Sequence, residues 1–312
     1  MIISLTANPT VDRTLHVPQL RFNEILRTHN VRVDWGGKGF NVSRALRILG
    51  QDTLALAWVG GGAGKMVEDG LNKLGIQTDF VWVKEETRTN TVAQEEDGEW
   101  YIRLNEPGPH IPPEAVQELL DKALSYANQD DIWVVSGSLP QGVADDFYAQ
   151  LIHLLKEKGV RVFFDANDTA LKLGLAEAPY LVNPDISETE GYVGFPIKNY
   201  EDAKRAALPF LRLGIQYVGL SIGGLGLLLA SQHEMILATP PKVAVKNVTG
   251  AGDSLMAGMV YGFFQGLPLA EVTRWGAAFA AVALSSEALS QISQADVLAM
   301  LPRVDVRTVN VM

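Results

Sequence analysis

The sequence has 312 residues, of which 47% are hydrophobic and 20% charged, a composition typical of a globular protein with a sizeable core. Its 36 acidic and 26 basic residues give a formal net charge of -10, which argues against general nucleic-acid binders and against proteins that bind anionic membranes. We therefore expect neither partner. The absence of cysteine excludes disulfides, thiolate nucleophiles and cysteine zinc sites.

The first residues, MIISLTANPTVD, predict a core strand and no signal peptide. They carry no basic segment and reach Asn8-Pro9 before an apolar segment of signal-peptide length can form. The most apolar stretch, residues 255–285, is interrupted by polar residues and by Pro268, so it predicts two buried helices and no membrane span. We expect a cytoplasmic protein.

Short β-rich segments alternate with longer helical patterns along the chain, which indicates a mainly parallel sheet with crossover helices. The predicted strands are 2–6, 53–59, 132–135, 160–165, 180–182 and 217–222. The predicted helices are 41–49, 65–74, 113–127, 145–158, 200–213, 252–264 and 269–285. Fully apolar strands such as DIWVVSG and VRVFFDAN suit a sheet that is covered on both faces.

Two segments interrupt this pattern, at about residues 11–35 and 87–106. Both alternate apolar and polar residues, as half-exposed strands do, and Asp97-Gly98 lies between two such runs as in a hairpin. We expect them to form a small β sheet carried on a single domain that spans residues 1–312. Such a sheet is either a lid that excludes water or a dimer surface.

Polar residues follow the first strand and precede the next predicted helix. Asp12 lies just past the strand, where open α/β sheets bind ligands, and its carboxylate suits sugar hydroxyls. In WGGKGFNVSRAL, Gly37 and Gly39 admit a ligand to the backbone, Lys38 supplies charge, and Asn41 can donate and accept hydrogen bonds. The alternatives are a turn at Asp12 and a helix cap at Asn41.

Three common catalytic motifs are disfavoured. GGGAGKM, residues 60–66, has Val59 where a nucleotide P-loop needs glycine and Met66 where that loop needs serine or threonine. The five histidines show no metal-ligand spacing, and SGSLP lacks the Gly-x-Ser-x-Gly elbow of serine hydrolases.

Two further groups of charged residues flank the predicted sheets. Arg27, Arg88 and Arg103 fall in or beside the small sheet, where together they could hold a substrate phosphate. Asp185 and Glu188 follow the strand at 180–182 and lie on one face of a helical turn, which suits hydrated magnesium. The alternatives are solvated surface arginines and an acidic helix start.

The stretch VTGAGDSLMAGMVYGF, residues 248–263, joins small residues to an apolar helix. Its helix-start N–H groups and missing side chains suit a bound phosphate. A carboxylate at Asp253 would repel that phosphate unless its task is to accept a proton. The alternative is a tight turn that lets a strand and a helix pack closely.

These segments together resemble the PfkB (ribokinase-like) family of carbohydrate kinases, and within it the hexose-phosphate kinases. The matching segments, in family order, are NPTVD, GGKGFNVSRAL, TRTN, VVSGSLPQGV, LSIGGLG and VTGAGDSLMAG. The resemblance implies a ribokinase-like three-layer α/β/α fold with a mainly parallel central sheet and a small β-sheet lid through which many members dimerise. We therefore expect a homodimer.

The resemblance also implies roles for individual residues. Gly250, Ala251 and Gly252 would form an anion hole for the migrating phosphoryl group, with Asp253 as the general base. The implied sugar-phosphate ligands are Asp12, Arg27, Gly37, Lys38, Gly39, Asn41, Arg88, Asn90, Arg103 and Ser138. The implied ATP ligands are Ser221, Gly223, Gly226 and Thr249, with Asp185 and Glu188 near Mg²⁺.

One segment departs from the family pattern. The family usually has Lys-Pro-Asn-x-x-Glu where this chain has Asn183-Pro184-Asp185 followed by Glu188, a change that bears on magnesium affinity and nucleotide preference. We expect ATP-dependent phosphorylation of a ketohexose phosphate, foremost fructose 1-phosphate to fructose 1,6-bisphosphate. Tagatose 6-phosphate and fructose 6-phosphate are the alternative substrates. A sugar-phosphate-binding protein without turnover is the alternative outside the kinases.

Overall fold

A large, mainly parallel sheet organises the protein in the computed structural model, which describes residues 1–96, 100–246 and 250–309. The predicted hairpin turn at Asp97-Gly98 and the predicted ATP ligand Thr249 lie outside these residues. The strands are β1 Ile2–Thr6, β2 Thr10–Val17, β3 Asn30–Gly36, β4 Leu54–Gly60, β5 Gln77–Thr78, β6 Val81–Val83, β7 Arg88–Glu95, β8 Tyr101–Leu104, β9 Ile132–Ser136, β10 Arg161–Asp165, β11 Leu181–Val182, β12 Tyr217–Ser221, β13 Leu227–Ala230, β14 Met235–Thr239 and β15 Asp305–Val309.

Helices connect most of these strands. They are α1 Lys38–Ile48, α2 Gly61–Lys73, α3 Pro113–Tyr126, α4 Phe147–Glu157, α5 Asp168–Ala176, α6 Ile186–Val193, α7 Tyr200–Arg212, α8 Ala251–Phe264, α9 Leu269–Leu284 and α10 Gln294–Met300. Short 3₁₀ turns lie at Gly223–Leu225, Leu289–Gln291 and Leu301–Arg303. No helix within the described ranges is long and apolar enough to cross a membrane.

The large sheet has the strand order β15-β14-β13-β12-β11-β10-β9-β1-β4-β5, and β6 also pairs with β4. Strands β1, β4 to β6 and β9 to β12 pair in parallel, whereas β13, β14 and β15 extend one edge in antiparallel fashion. The predicted parallel sheet is therefore confirmed, with an antiparallel edge that the sequence did not reveal.

Buried side chains lie on both faces of this sheet. Along β9, Trp133 joins one apolar cluster with residues of α3, α4 and α7, whereas Val134 joins a second cluster with residues of α1, α8 and α9. Phe163 and Phe164 on β10 divide in the same way. Because successive side chains of a strand point to opposite faces, this arrangement gives the predicted three layers of helices, sheet and helices.

A separate four-stranded sheet has the order β3-β2-β7-β8. Strands β2 and β7 pair in parallel, and β3 and β8 flank them in antiparallel fashion. The two segments predicted for the small sheet, 11–35 and 87–106, supply all of its strands. One face of this sheet turns toward the carboxyl ends of the large sheet.

Candidate active site

A cleft of about 1380 Å³ lies between the small sheet and the carboxyl ends of the large sheet. Asp165, Asn183 and Ser221, which end or follow β10, β11 and β12, lie on one side of it. Asp12 and Asn90 of the small sheet lie on the other. Parallel strands place their carboxyl ends at one edge, which is where open α/β sheets bind ligands.

The cleft collects most of the predicted site residues from distant parts of the chain. Those that line it are Asp12, Gly37, Lys38, Asn41, Arg88, Asn90, Arg103, Asp185, Glu188, Ser221, Gly250, Gly252 and Asp253. The remaining predicted residues within the described ranges do not line it; they are Arg27, Gly39, Ser138, Gly223, Gly226 and Ala251.

Helix α8 presents Asp253 to the cleft from its first turn. The helix begins after Gly250, whose backbone has the left-handed φ of 80° that favours glycine. An added Cβ at Gly250 or Gly252 would meet no protein atom within 4 Å, so both positions leave open space. The first helical N–H groups lack partners in the helix and can face an anion there.

The Asp253 carboxylate is buried and is held by one amide. Its Oδ2 accepts a hydrogen bond of 2.8 Å from Nδ2 of Asn41 in α1. Burial raises the pKa of Asp253 to about 6, the nearby Asp165 carboxyl raises it further, and the Asn41 hydrogen bond opposes both effects. A carboxylate with this pKa is ionised at neutral pH and is more basic than an exposed aspartate.

Lys38 is the cation at the centre of this group of carboxylates. Its Nζ lies 2.6 Å from Oδ1 of Asp165, which is buried at the end of β10. Burial lowers the pKa of Lys38, but the Asp165 carboxylate, with Glu188 and Asp253 beyond it, more than offsets this and holds the pKa above its ordinary value. Lys38 therefore stays charged at the pH of any assay.

The small sheet contributes a carboxylate with an amide beside it. Nδ2 of Asn90 donates to Oδ1 of Asp12 at 3.1 Å, across the parallel pair β2 and β7. Burial raises the pKa of Asp12, and the Asn90 hydrogen bond and the charge of Arg103 oppose it. Nη2 of Arg88 donates to the Asn8 carbonyl at 2.8 Å, which fixes the guanidinium beside Asp12.

Asp185 and Glu188 form a capping box at the start of α6, as the structural alternative predicted. Oδ1 of Asp185 accepts from the Glu188 N–H at 2.7 Å, and Oε2 of Glu188 accepts from the Asp185 N–H at 2.9 Å. Both side chains nevertheless line the cleft, and burial raises the pKa of Glu188 to about 7. Capping thus orients the two carboxyls without removing them from the cleft.

The same corner can accept a hydrated magnesium ion. Asn183 is 5% exposed, and its Oδ1 has no hydrogen-bond partner among the described residues. That oxygen faces Gly219 and not the open cleft, so the two carboxyls of Asp185 and Glu188 are the oxygen ligands offered to magnesium here. No cluster of three His, Asp or Glu side chains suited to a metal occurs in the described chain, and kinase magnesium typically needs only one or two carboxylates besides phosphate and water.

The predicted ATP ligands Gly223 and Gly226 shape the turn between β12 and β13. Gly223 begins a 3₁₀ turn, and the Ile222 N–H donates to the Gly226 carbonyl at 2.7 Å. An added Cβ at Gly226 would lie 2.1 Å from the Ala238 carbonyl oxygen. These glycines therefore support the turn beyond Ser221, which itself lines the cleft.

The other four predicted site residues that do not line the cleft are placed as follows. Arg27 is exposed in the segment between β2 and β3. Gly39 is buried in the first turn of α1, where an added Cβ would lie 2.6 Å from Oγ1 of Thr6. Ser138 accepts a hydrogen bond of 3.4 Å from Asn8. Ala251 is half-buried in the first turn of α8, so only its backbone N–H is suited to an anion.

Several cleft residues did not emerge from the sequence motifs. Asp165 ends an apolar strand, a signal that its position at the sheet edge could have provided. Arg44 and Asp34 form an ion pair of 3.1 Å between α1 and β3, and Arg44 is only 8% exposed. Nothing in the sequence around Arg44 indicates that it pairs with Asp34, because the pairing depends on how α1 packs against β3.

Comparison with known proteins gives a consistent result. A family model described as pfkB family carbohydrate kinase matches residues 3–295. The chain is 32% identical to 1-phosphofructokinase of Escherichia coli K12 over 99% of both chains, and 30% identical to tagatose-6-phosphate kinase of Staphylococcus epidermidis over 84% of this chain and 85% of that one. The tetrameric inhibited form of phosphofructokinase-2 from Escherichia coli matches with a TM-score of 0.90 and 28% identity, over 96% of this chain and 98% of that one.

Proposed function

The chain belongs to the pfkB family of carbohydrate kinases, and on that premise we propose that it phosphorylates a ketohexose phosphate with ATP, foremost fructose 1-phosphate to fructose 1,6-bisphosphate. The observation that carries this proposal is the buried Asp253 at the start of α8, held by Asn41 beside open glycine positions in the cleft. A proton acceptor and an anion site are thereby adjacent, as phosphoryl transfer requires.

Asp253 acts as the general base in this proposal. Its carboxylate accepts the proton of the substrate hydroxyl as that oxygen bonds to the γ-phosphorus of ATP, and the bond from this phosphorus to the bridging oxygen breaks to release ADP. The N–H groups of residues 250–252 stabilise the charge on the transferred group. Lys38, paired with Asp165 but still charged, offsets part of the negative charge nearby.

The small sheet binds the sugar phosphate. Asp12 and Asn90 face the cleft together, and their oxygens and amide suit sugar hydroxyls. Arg88 and Arg103 line the same region and supply the charge for the substrate phosphate. We treat this sheet as a lid on a single kinase domain spanning residues 1–312, because its inner face closes one side of the cleft.

Magnesium would be held by Asp185 and Glu188, whose side chains both line the cleft. When bound, the ion neutralises charge on the transferring phosphates. The capping hydrogen bonds of Asp185 and Glu188 each use one oxygen of the carboxyl and leave the other for the ion or its water. ATP lies along Ser221 and the start of α8.

The names of the relatives bear on the substrate. The full-length relative from Escherichia coli is named 1-phosphofructokinase, and the relative from Staphylococcus epidermidis is named tagatose-6-phosphate kinase. We therefore place fructose 1-phosphate first and retain tagatose 6-phosphate as the second candidate.

A coupled ADP-release assay with ATP and magnesium tests the proposal. The substrates compared are fructose 1-phosphate, tagatose 6-phosphate, fructose 6-phosphate, fructose and ribose, and we expect the highest kcat/KM on fructose 1-phosphate. If another phosphorylated ketohexose has the highest kcat/KM, that sugar is the substrate, and the phosphate site at Arg88 and Arg103 still stands. Turnover of free sugars alone would contradict the phosphate site, and silence on all five would favour a binding protein without turnover.

A further inference from the structure

Arg44 links the small sheet, through Asn41, to Asp253 at the start of α8. No step of the proposed chemistry uses Arg44. It lies on α1 one turn beyond Asn41 and is 8% exposed. Its guanidinium donates to Oδ1 of Asp34 at 3.1 Å and to the Trp35 carbonyl at 3.2 Å, both in β3. The same Nη1 that contacts Trp35 lies 3.5 Å from Oδ1 of Asn41.

These contacts determine which end of the Asn41 amide faces Asp253. An amide carries a donor at one end and an acceptor at the other. With Oδ1 toward Arg44, Nδ2 points to Asp253 at 2.8 Å. The reversed amide would bring N–H against the guanidinium and a carbonyl oxygen against the carboxylate, and both contacts would repel. The arginine therefore fixes the one orientation that stabilises the carboxylate.

The other side of Arg44 is anchored in the small sheet. Oδ2 of Asp34 also lies 3.2 Å from Nε of Arg32. Nη1 of Arg32 donates in turn to the Glu287 carbonyl at 3.2 Å, in the segment after α9. Strand β3 is thus attached to both α1 and the opposite side of the cleft. A displacement of β3 would break the buried Arg44–Asp34 pair or move the guanidinium with it.

We propose that Arg44 is a positioning residue that couples the small sheet to the general base, holding the Asn41 amide in the orientation that binds the Asp253 carboxylate only while β3 is in place. This inference rests on the role proposed for Asp253 and adds to it a physical connection between the lid and the reacting group. The connection consists of three successive contacts, from Asp34 to Arg44, from Arg44 to Asn41, and from Asn41 to Asp253.

Loss of Arg44 has a directional consequence for Asp253. The charged groups that face this carboxyl are Asp165, Lys38 and Asp12, and a change at Arg44 leaves all three in place. What it removes is the fixed Asn41 hydrogen bond, which lowers the pKa of Asp253. Without that bond the pKa rises, so a larger fraction of the base is protonated at a given pH.

The test compares Arg44→Met and Arg44→Lys with Arg47→Met. Arg47 is the matched control, because it is an exposed arginine three residues further along α1 and pairs with Asp52 outside the cleft. Arg44→Lys keeps a charge, but an ammonium lacks the planar fork in which Nη2 reaches Asp34 while Nη1 reaches Trp35 and Asn41. We expect both Arg44 variants to lower kcat on the order of 10-fold to 10²-fold, as for a misplaced catalytic group. The KM for ATP should change little.

A second measurement does not need turnover. The side-chain amide signals of ¹⁵N-labelled Asn41, assigned by their loss in Asn41→Ala, report the ionisation of Asp253 as the pH is varied. We expect the midpoint of this titration to move to higher pH in both Arg44 variants and to stay unchanged in Arg47→Met. Two results would overturn the proposal. One is a wild-type kcat and titration midpoint in Arg44→Lys; the other is a loss of kcat in the Arg44 variants that is fully explained by a lower Tm. If the wild-type protein has no kinase activity, the proposed function fails, whereas the titration still decides the link.

Discussion

At the scale of single residues, the cleft concentrates carboxyl groups around one lysine. Asp165, Glu188 and Asp253 all have a raised pKa, first because they are buried and also because another carboxyl lies near each of them: Asp185 near Asp165, and Asp165 near the other two. Lys38 is the cation common to them. Such an arrangement keeps one carboxyl basic enough to accept a proton while the local charge is partly balanced.

Asp165→Asn tests this charge coupling. Asp165 raises the pKa of both Asp253 and Glu188, so its removal lowers both and frees the Lys38 charge to lower them further. The base must be ionised, so wild-type kcat/KM should fall as the pH drops below the pKa of Asp253, about 6. We expect Asp165→Asn to move this acidic limb to lower pH. Asp79→Asn, which breaks a lysine pair at the surface, is the control. If the acidic limb of kcat/KM in Asp165→Asn lies at the same pH as in the wild type, or at a higher pH, the coupling is contradicted.

Arg88→Ala tests the substrate side of the cleft. The side chain is fixed by carbonyls of Asn8 and Glu106 and has the Asp12 carboxylate nearby. We expect the KM for phosphorylated sugars to rise by about 10-fold or more, as for a lost charge-assisted contact, with a much smaller rise for ATP. Steady-state kinetics with each substrate varied in turn measures both. Arg13→Ala, on β2 but exposed, should leave both values unchanged. Equal effects of Arg88→Ala on the two substrates would remove Arg88 from the phosphate site.

At the scale of elements, glycine at position 252 lowers the stability of α8 but leaves open space at the start of that helix. Alanine is favoured over glycine in a helix by up to ~1 kcal/mol, and an added Cβ at Gly252 would meet no protein atom. The protein alone therefore gives no steric reason for glycine at this position. A phosphoryl group close to the helix-start N–H groups gives one.

Gly252→Ala should therefore uncouple stability from activity. We expect a Tm equal to or above that of the wild type and a kcat lowered by ~10-fold or more, since the methyl group displaces the phosphoryl group from its N–H donors. Gly191→Ala in α6 is the matched control, because that glycine is also helical, exposed and unobstructed. It should gain stability without losing activity. Full activity in Gly252→Ala would argue against an anion site at α8.

The regular elements were predictable where sequence pattern and burial agree. The strand at 2–6 was predicted to the residue, and the predicted strand at 132–135 extends by one residue, because each is a mainly apolar run that is buried throughout. The antiparallel strands β13 to β15 were missed because a short SQHE turn, and no helix, joins the first two, and β15 begins 66 residues after the end of β14. Helix α1 begins at Lys38 and not at Asn41, since Gly37 takes the N-cap position with a φ of 127°.

Site residues were predictable by type, but their partners were not. Lys38 and Asn41 were expected to face the sugar; the structure pairs them with Asp165 and Asp253, which lie 127 and 212 residues away. No local pattern encodes such distances, because the parallel sheet brings the residues together. At Asp185 and Glu188 the sequence left helix capping and metal binding open. Capping is observed, and metal binding stays a proposal.

At the scale of the whole molecule, the small sheet has an exposed apolar edge. Strand β8 is its outer strand, and its neighbourhood exposes Trp100 at 64%, Tyr101 at 60% and Leu104 at 63%. Apolar side chains on an unpaired edge strand favour association with another chain. We propose that a second copy covers this edge in a homodimer.

Leu104→Lys tests that assembly. A charge placed on β8 should convert the dimer to a monomer in sedimentation velocity, because burying an unpaired lysine at an interface is costly. Leu298→Lys is the control, since Leu298 is also exposed, at 48%, but lies on α10. It should leave the dimer intact. A monomeric wild-type protein, or a dimer that survives Leu104→Lys, would contradict the proposed interface.

The role of Asp253 as the base of a kinase is tested most directly by Asp253→Asn. The substitution keeps the size of the side chain and an oxygen for the Asn41 amide, but it cannot accept the substrate proton. We expect kcat in the coupled ADP-release assay to fall by ~10² or more, as for a lost general base, while calorimetry shows ATP and sugar-phosphate binding within a few-fold of the wild type. Turnover at the wild-type rate in Asp253→Asn would contradict the assignment of Asp253 as the general base.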